Sequence, residues 1–324
     1  MTFISAEGSR PGSPMRIACV GEVMLELTFL EDGVARTSVA GDTYNTAVYL
    51  RRWLDRDDAT VSFIAAVGQD AVSARVLKAM TDAGIDVSGV ERRPDRTVGI
   101  YSISNDGRGE RSFTYWRSDS AARGLFGPSS SLPLGLLHDY DLVYLSGITL
   151  AILPQEVRNR FYAWAKRYRR LGGKIAFDSN YRPSLWENRQ TARLETAKMW
   201  ASCDIALPSL SDELELFDSD GEREVIARLR DAGASLGSLK RGDRGPVSLS
   251  GDVLEFATVP PQAIVDTTAA GDSFNAGYLA AFVRRSDPVA CISAGYDLAS
   301  EVIKHRGAIC SVEVNPVAPW RRHL

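Results

Sequence analysis

Residues 141–178 read DLVYLSGITLAILPQEVRNRFYAWAKRYRRLGGKIAFD, and this stretch decides the fold class. Asp141–Ser146 (DLVYLS) is a strand. Pro154–Leu171 carries apolar residues at helical spacing and is closed by Gly172-Gly173. Lys174–Asp178 (KIAFD) is a second strand. Strand, helix and strand in this order form a crossover unit with two parallel strands.

The pattern extends in both directions. Downstream lie a helix at Arg189–Ala201, a strand at Asp204–Leu207 and a helix at Glu222–Ala232. A short strand at Leu236–Lys240, a hairpin from Val247–Ser250 and Val253–Ala257, and closing helices at Asp272–Phe282 and Pro288–His305 complete the chain. Upstream, a strand at Met15–Val20 ends at Gly21, and a helix at Thr43–Leu54 follows Asp42. A strand at Val61–Val67 then leads to a helix at Ala71–Ala83, closed by Gly84. The alternation predicts an α/β fold with a parallel sheet covered on both faces. Ligands in such sheets sit beyond the carboxyl ends of the strands. Residues 97–117 break the pattern: TVGIYSIS, NDGRGE and RSFTYWR read as a hairpin. With Glu22–Leu30 it predicts a small accessory sheet.

The 324 residues are 44% hydrophobic, and 38 basic residues face 41 acidic ones. The two signs are interspersed, so no tract reads as a nucleic-acid footprint or a membrane anchor. No stretch approaches 18 apolar residues, and no membrane span is expected. Cys19, Cys203, Cys291 and Cys310 form no CxxC pair, and only three histidines are present. This argues against zinc and disulfides and for thiols in a reducing, cytoplasmic setting. Residues 1–14 are read as a flexible leader without a secretory h-region, and 315–324 as a tail.

DTTAAGDSFNAG (266–277) carries the chemistry. Small residues Thr267–Gly271 precede an apolar helix expected to begin near Ser273. Unpaired backbone N–H groups at such a start face outward, where the helix dipole favours negative charge. Asp272 at the helix mouth would meet a substrate hydroxyl. Phosphoryl transfer needs this pairing of an anion hole with a base. Read locally, Asp272 as a plain N-cap remains the alternative.

The longer segment DTTAAGDSFNAGYLAAF resembles the C-terminal signature of the PfkB/ribokinase family of sugar kinases, D-T-x-G-A-G-D-x-F. The resemblance covers nearly the whole chain from residue 15. GDTYNTAVYLRRW (41–53) resembles the family's N-terminal glycine-rich motif, and VGQDAVSARVLKAMTDAGIDVSGV its G-x-D-x-x-G stretch. The family implies a ribokinase-like three-layer sandwich over 15–314, with a mostly parallel central sheet. A small β-sheet lid would come from about 22–40 and 97–117. It implies Asp272 as catalytic base, with the amides of Ala269, Ala270, Gly271 and Asp272 as anion hole, and Gly41 and Asn45 on the sugar side. Ala269 stands where the family usually has glycine, although alanine is harder to place at positive φ.

On the nucleotide side, Lys240-Arg-Gly242-Asp-Arg-Gly245 alone is a glycine turn, as hairpins have. It resembles the family's K-x-G-x-x-G element, which implies Lys240, Gly242, Gly245, Thr267 and Gly271 near ATP. Gly307 resembles the adenine border, and Asp266 and Thr268 the loop that holds a monovalent cation such as potassium. Magnesium is expected with ATP. The family's N-x-x-E appears as Ser209-Leu-Ser-Asp212, followed by Glu213. Either acid would hold magnesium through water, or the segment is simply a solvated helix start.

On the acceptor side, Tyr101, Tyr115 and Arg117 share the lid, and strand parity puts Arg117 with Tyr115. They read as a pocket wall with a cation for a carboxylate, or as a dimer contact. Asn180 and Arg182 follow KIAFD at a strand's carboxyl end. The pattern YWRSDSAA with GDTYN resembles the subgroup acting on 2-keto-3-deoxygluconate. That implies ATP-dependent phosphorylation of a sugar acid at its 6-hydroxyl, with Gly41, Tyr101, Tyr115, Arg117 and Arg182 on the substrate. Another sugar kinase, such as a fructokinase, is the alternative. A silent sugar-binding protein would be expected to lack Asp272, and no GxGxxG follows the first strand to support a dinucleotide enzyme. The lid's edges and apolar face point to a homodimer.

Overall fold

The computed structural model describes residues 13–29, 33–105, 111–234, 236–249, 256 and 259–312. β1 (Met15–Val20) lies at the centre of the main sheet, with β4 (Ala59–Gly68) and then β5 (Val90–Arg93) on one side. On the other side run β8 (Leu142–Ser146), β9 (Lys174–Asp178), β10 (Ile205–Ala206), β11 (Leu236–Leu239) and β12 (Val247–Ser248). These eight strands, counted among the described residues, are parallel except for the antiparallel pair β11–β12.

Why the strands are apolar throughout is clear from β1. Ile17 and Cys19 enter one core, and Ala18 and Val20 enter the other. Strands pleat with period two, so a sheet covered on both faces needs apolar residues at every position. One cover comprises α1 (Asp42–Trp53), α2 (Ala71–Asp82), α8 (Ala270–Val283) and α9 (Pro288–Val302). The other comprises α4 (Gln155–Arg170), α5 (Arg189–Trp200) and α7 (Glu222–Asp231). α8 is buried almost along its whole length. Gly277 permits this, because a Cβ there would lie 2.4 Å from the Ala294 carbonyl oxygen of α9.

A second sheet, ordered β3-β2-β6-β7, stands over one end of the first. It comprises β2 (Met24–Phe29), β3 (Ala35–Ala40), β6 (Gly99–Asn105) and β7 (Arg111–Trp116). The expected hairpin is present, with Tyr101 opposite Tyr115.

Several expectations need correction. The strand at 247–248 pairs back onto β11, and most of its expected partner, 253–257, lies outside the described residues, as do 1–12, the turn 106–110 and the tail. β5 was not expected. Nor was the short helix α3 (Gly147–Ile152), whereas α6 (Leu210–Phe217) begins at the helix start that the Ser209–Glu213 segment offered as one reading. α8 begins at Ala270, two to three residues before the start expected at Asp272 or Ser273.

Candidate active site

The sheet order reverses direction at β1, and a cleft of about 1080 Å³ lies between the carboxyl ends of the strands and the second sheet. Topology puts it there, since neighbouring crossovers diverge at that point. Ile148, Asn180 and Ser209 enter it just after β8, β9 and β10, and Asp178 enters it from the last position of β9. Met24, Tyr101, Tyr115 and Arg117 face it from the lid. The segment Thr267–Asp272 closes it on the side of α8.

Ala269 is the N-cap of α8 with φ 61° and ψ 16°, a left-handed conformation that an alanine rarely adopts. The turn delivers Gly271 and Asp272 to the cleft wall as the second and third helical residues. Of the expected anion-hole amides, that of Ala270 donates to the Thr267 carbonyl at 3.2 Å. The Ser273 amide bonds to Ala269 at 2.9 Å. Helix geometry leaves the amides of Gly271 and Asp272 without partners of their own in the first turn.

Asp272 is not an N-cap. Its carboxylate accepts a hydrogen bond from Asn45 Nδ2 at 2.8 Å, and the residue is 9% exposed. Burial pushes its pKa up to about 8, and the negative charges of Asp42 and Asp178 push the same way. The Asn45 bond and the Lys240 cation oppose them. A carboxyl group tuned toward neutral pH and open to a cleft is what a general base requires.

Below Asp272 lies a polar network. Asp178 Oδ2 accepts from Lys240 Nζ at 2.8 Å and from Asn275 Nδ2 at 2.6 Å. Asn275 Nδ2 also reaches the Tyr144 hydroxyl at 2.9 Å. Lys240, expected at the nucleotide, therefore directs its ammonium inward. Gly242 and Gly245, at φ 64° and 69°, form the turn behind it. Asp42 accepts from the Ser146 hydroxyl and from Asn180 Nδ2 at 2.9 Å. Its pKa is raised by burial.

On the lid, the Tyr101 hydroxyl donates to Glu26, and the Tyr101 and Tyr115 rings stack at 5.7 Å. Arg117 is 7% exposed and ion-pairs with Glu22, which is 1% exposed. Gly41 caps α1 under the lid, where a Cβ would lie 2.3 Å from the Glu22 carbonyl oxygen. Arg182, half exposed, donates to the Tyr181 carbonyl at 2.7 Å and has Asp212 at 4.0 Å.

Asp266 knits two loops together: its carboxylate accepts from the Thr268 amide and hydroxyl and from the Gly307 amide at 2.8 Å. Thr267 faces the cleft beside it. Asp212 faces the cleft and accepts from the Tyr181 amide at 3.1 Å. Burial, aided by Asp178, raises its pKa. Glu213 is a correction. One residue further round α6 it points into the core, where Arg228 and Trp200 hold it at 2.9 and 3.2 Å, so it does not reach the cleft. No group of three or more His, Cys, Asp or Glu placed to hold a metal ion occurs among the described residues.

Asp42, Asp178, Asn275 and Glu22 were not singled out in the sequence. Asp178 carried a signal, as the last residue of a strand feeding the cleft. Asn275, within an apolar helix, carried none.

A model of the pfkB family carbohydrate kinases matches residues 15–315. The 2-dehydro-3-deoxygluconokinase of Dickeya dadantii (strain 3937) is 39% identical over 305 residues, spanning 93% of this chain and 98% of that one. Aminoimidazole riboside kinase from Salmonella enterica, complexed with aminoimidazole riboside and an ATP analog, superposes with a TM-score of 0.74. It is 21% identical, with 90% of this chain and 94% of that one covered. A fructokinase double mutant from Vibrio cholerae O395, in fructose, ADP and potassium ion bound form, gives 0.76 at 20% identity, covering 92% and 95%. No described helix is long and apolar enough to cross a membrane.

Proposed function

Because the chain belongs to the pfkB family of carbohydrate kinases, we propose that it transfers the γ-phosphoryl group of ATP to the 6-hydroxyl of 2-dehydro-3-deoxy-D-gluconate. The observation that carries the chemistry is Asp272, a buried carboxylate of raised pKa at the start of α8. It takes the acceptor's hydroxyl proton as the bond to phosphorus forms. The Gly271 and Asp272 amides and the dipole of α8 offset the charge of the transferring group. Lys240, held beneath by Asp178 and Asn275, adds positive charge. The lid wall of Tyr101, Tyr115 and Arg117 excludes water, which would otherwise accept the phosphoryl group.

The choice of acceptor is supported by the 39% identity to a 2-dehydro-3-deoxygluconokinase over nearly its full length. Arginines facing the cleft suit a carboxylate, and Arg117 and Arg182 hold it in this proposal, with Gly41 at a hydroxyl. ATP lies toward Thr267, Gly271 and the Gly307 turn.

The donor set fits magnesium, which prefers one or two carboxylates plus phosphate oxygens and keeps several waters. Asp212 is the carboxylate that would hold it, and the ion would neutralise phosphate charge. A potassium ion at the Asp266–Thr268 loop belongs to the same proposal, as does a dimer through the outer lid face, where Phe29 and Trp116 are exposed.

Release of ADP from ATP and magnesium tests the proposal with the keto acid, fructose and ribose as acceptors. The keto acid is expected to exceed fructose in kcat/KM by about 100-fold. Equal or faster turnover of fructose overturns the acceptor assignment.

A further inference from the structure

Among the described residues, three arginines line the cleft: Arg117, Arg123 and Arg182. Two of them already meet acids. Arg117 is in contact with Glu22, and Arg182 has Asp212 at 4.0 Å. The Arg123 guanidinium makes no hydrogen bond or ion pair among the described residues. Its attraction to Glu187 acts through space only, and Glu187 is bound to Arg158.

The backbone beneath Arg123 is fixed. Ala121–Gly124 form one 3-10 turn, tied to the lid root by the Ala121 amide on the Thr97 carbonyl at 2.8 Å. Leu125 and Phe126, fully buried, anchor its far end. A rigid base thus presents to the cleft a cation with no acid in contact with it.

Charge decides what that cation does. Asp42, Asp178, Asp212 and Asp272 line the cleft and offer a negatively charged acceptor no attraction, and the Lys240 cation is already paired with Asp178. A carboxylate approaching Arg117 also meets Glu22, so that pair offers hydrogen-bond direction but little net attraction. Selecting an acid over a neutral sugar of equal length needs an arginine whose charge is not already offset.

We propose that Arg123 is the specificity-determining cation of this site, selecting acceptors that carry a carboxylate over neutral sugars. The inference rests on the keto-acid reading above.

The test compares wild type, Arg123→Gln and Arg123→Lys as full-length proteins, with the keto acid and with fructose. A charge-assisted hydrogen bond is worth about 1.5–3 kcal/mol, or roughly 10- to 100-fold. Arg123→Gln is expected to lower the keto-acid/fructose ratio of kcat/KM by that factor, through KM for the acid. Arg123→Lys recovers part of the loss. Added salt weakens keto-acid KM more in wild type than in Arg123→Gln, which a purely structural role would not produce. An unaltered ratio in Arg123→Gln, or equal losses on both sugars, overturns the inference while leaving the keto-acid reading intact. If wild type neither phosphorylates the keto acid nor is thermally stabilised by it, the reading itself fails and this inference falls with it.

Discussion

Asn45 Nδ2 stands 2.8 Å from Asp272 Oδ2, joining two helices whose residues are 227 positions apart in the chain. The bond fixes the carboxylate toward the cleft and favours its charged form, against burial and two neighbouring acids. This conflict between charge and environment makes Asp272 useful, and it also costs stability.

Replacing Asp272 with asparagine separates the two consequences. The amide oxygen still accepts from Asn45, so the fold is kept. Turnover is expected to fall by about 10²- to 10⁴-fold, the usual contribution of a general base. Stability moves the other way. A carboxyl whose pKa is raised on folding stabilises most below its unfolded value near 4, and that contribution is lost as pH rises toward about 8. Asp272→Asn is therefore expected to melt above wild type, by a margin that widens between pH 5 and 8 and then levels off. Thermal melts across that range, with ADP release, check both halves; full activity in the variant removes Asp272 from the mechanism.

In the proposed mechanism the same residue sets the pH profile. Only the carboxylate form accepts a proton, so kcat/KM is expected to rise with pH along a limb centred near 8. Asn45→Ala deletes a bond that lowers the Asp272 pKa, so the limb should move to higher pH. A limb that stays in place shows that another group controls it.

Ala269 holds φ 61° where glycine would sit without strain. The left-handed conformation costs an L-residue about 1–2 kcal/mol. Glycine returns part of this by loosening the unfolded chain. Ala269→Gly is thus expected to stabilise the protein by about 0.5–1 kcal/mol in urea unfolding. A less stable glycine variant would mean that the alanine methyl packs productively in the turn.

Much of this was legible in the sequence because parallel strands are apolar on both faces and alternate with periodic helices. β8, α4 and β9 came out within a residue or two of their expected ends. The short elements were hidden. α3 starts inside an apolar run, and only its Ser146–Thr149 capping box marks it. In the site, Asp272 and Asn180 followed from their places at a helix start and a strand end. Direction was harder. Asp212 and Glu213 are adjacent in sequence, yet α6 turns one to the cleft and the other to the core. Pairings such as Glu22 with Arg117, 95 positions apart, carry no local signature.

That pair yields the sharpest stability test. Both side chains are almost wholly buried where the lid joins the main sheet. Removing one partner of a buried pair leaves an uncompensated charge and costs about 3–5 kcal/mol, whereas replacing both with apolar residues is often neutral. Glu22→Ala is expected to show that loss in urea unfolding, and Glu22→Met with Arg117→Met to recover most of it. The double variant also separates the lid's two tasks. Its lid is closed by packing but lacks the Arg117 fork, so KM for the keto acid should rise. The preference for acid over neutral sugar should survive in part, because Arg123 keeps its charge. Loss of all preference in a well-folded double variant would instead place the discriminating charge on Arg117.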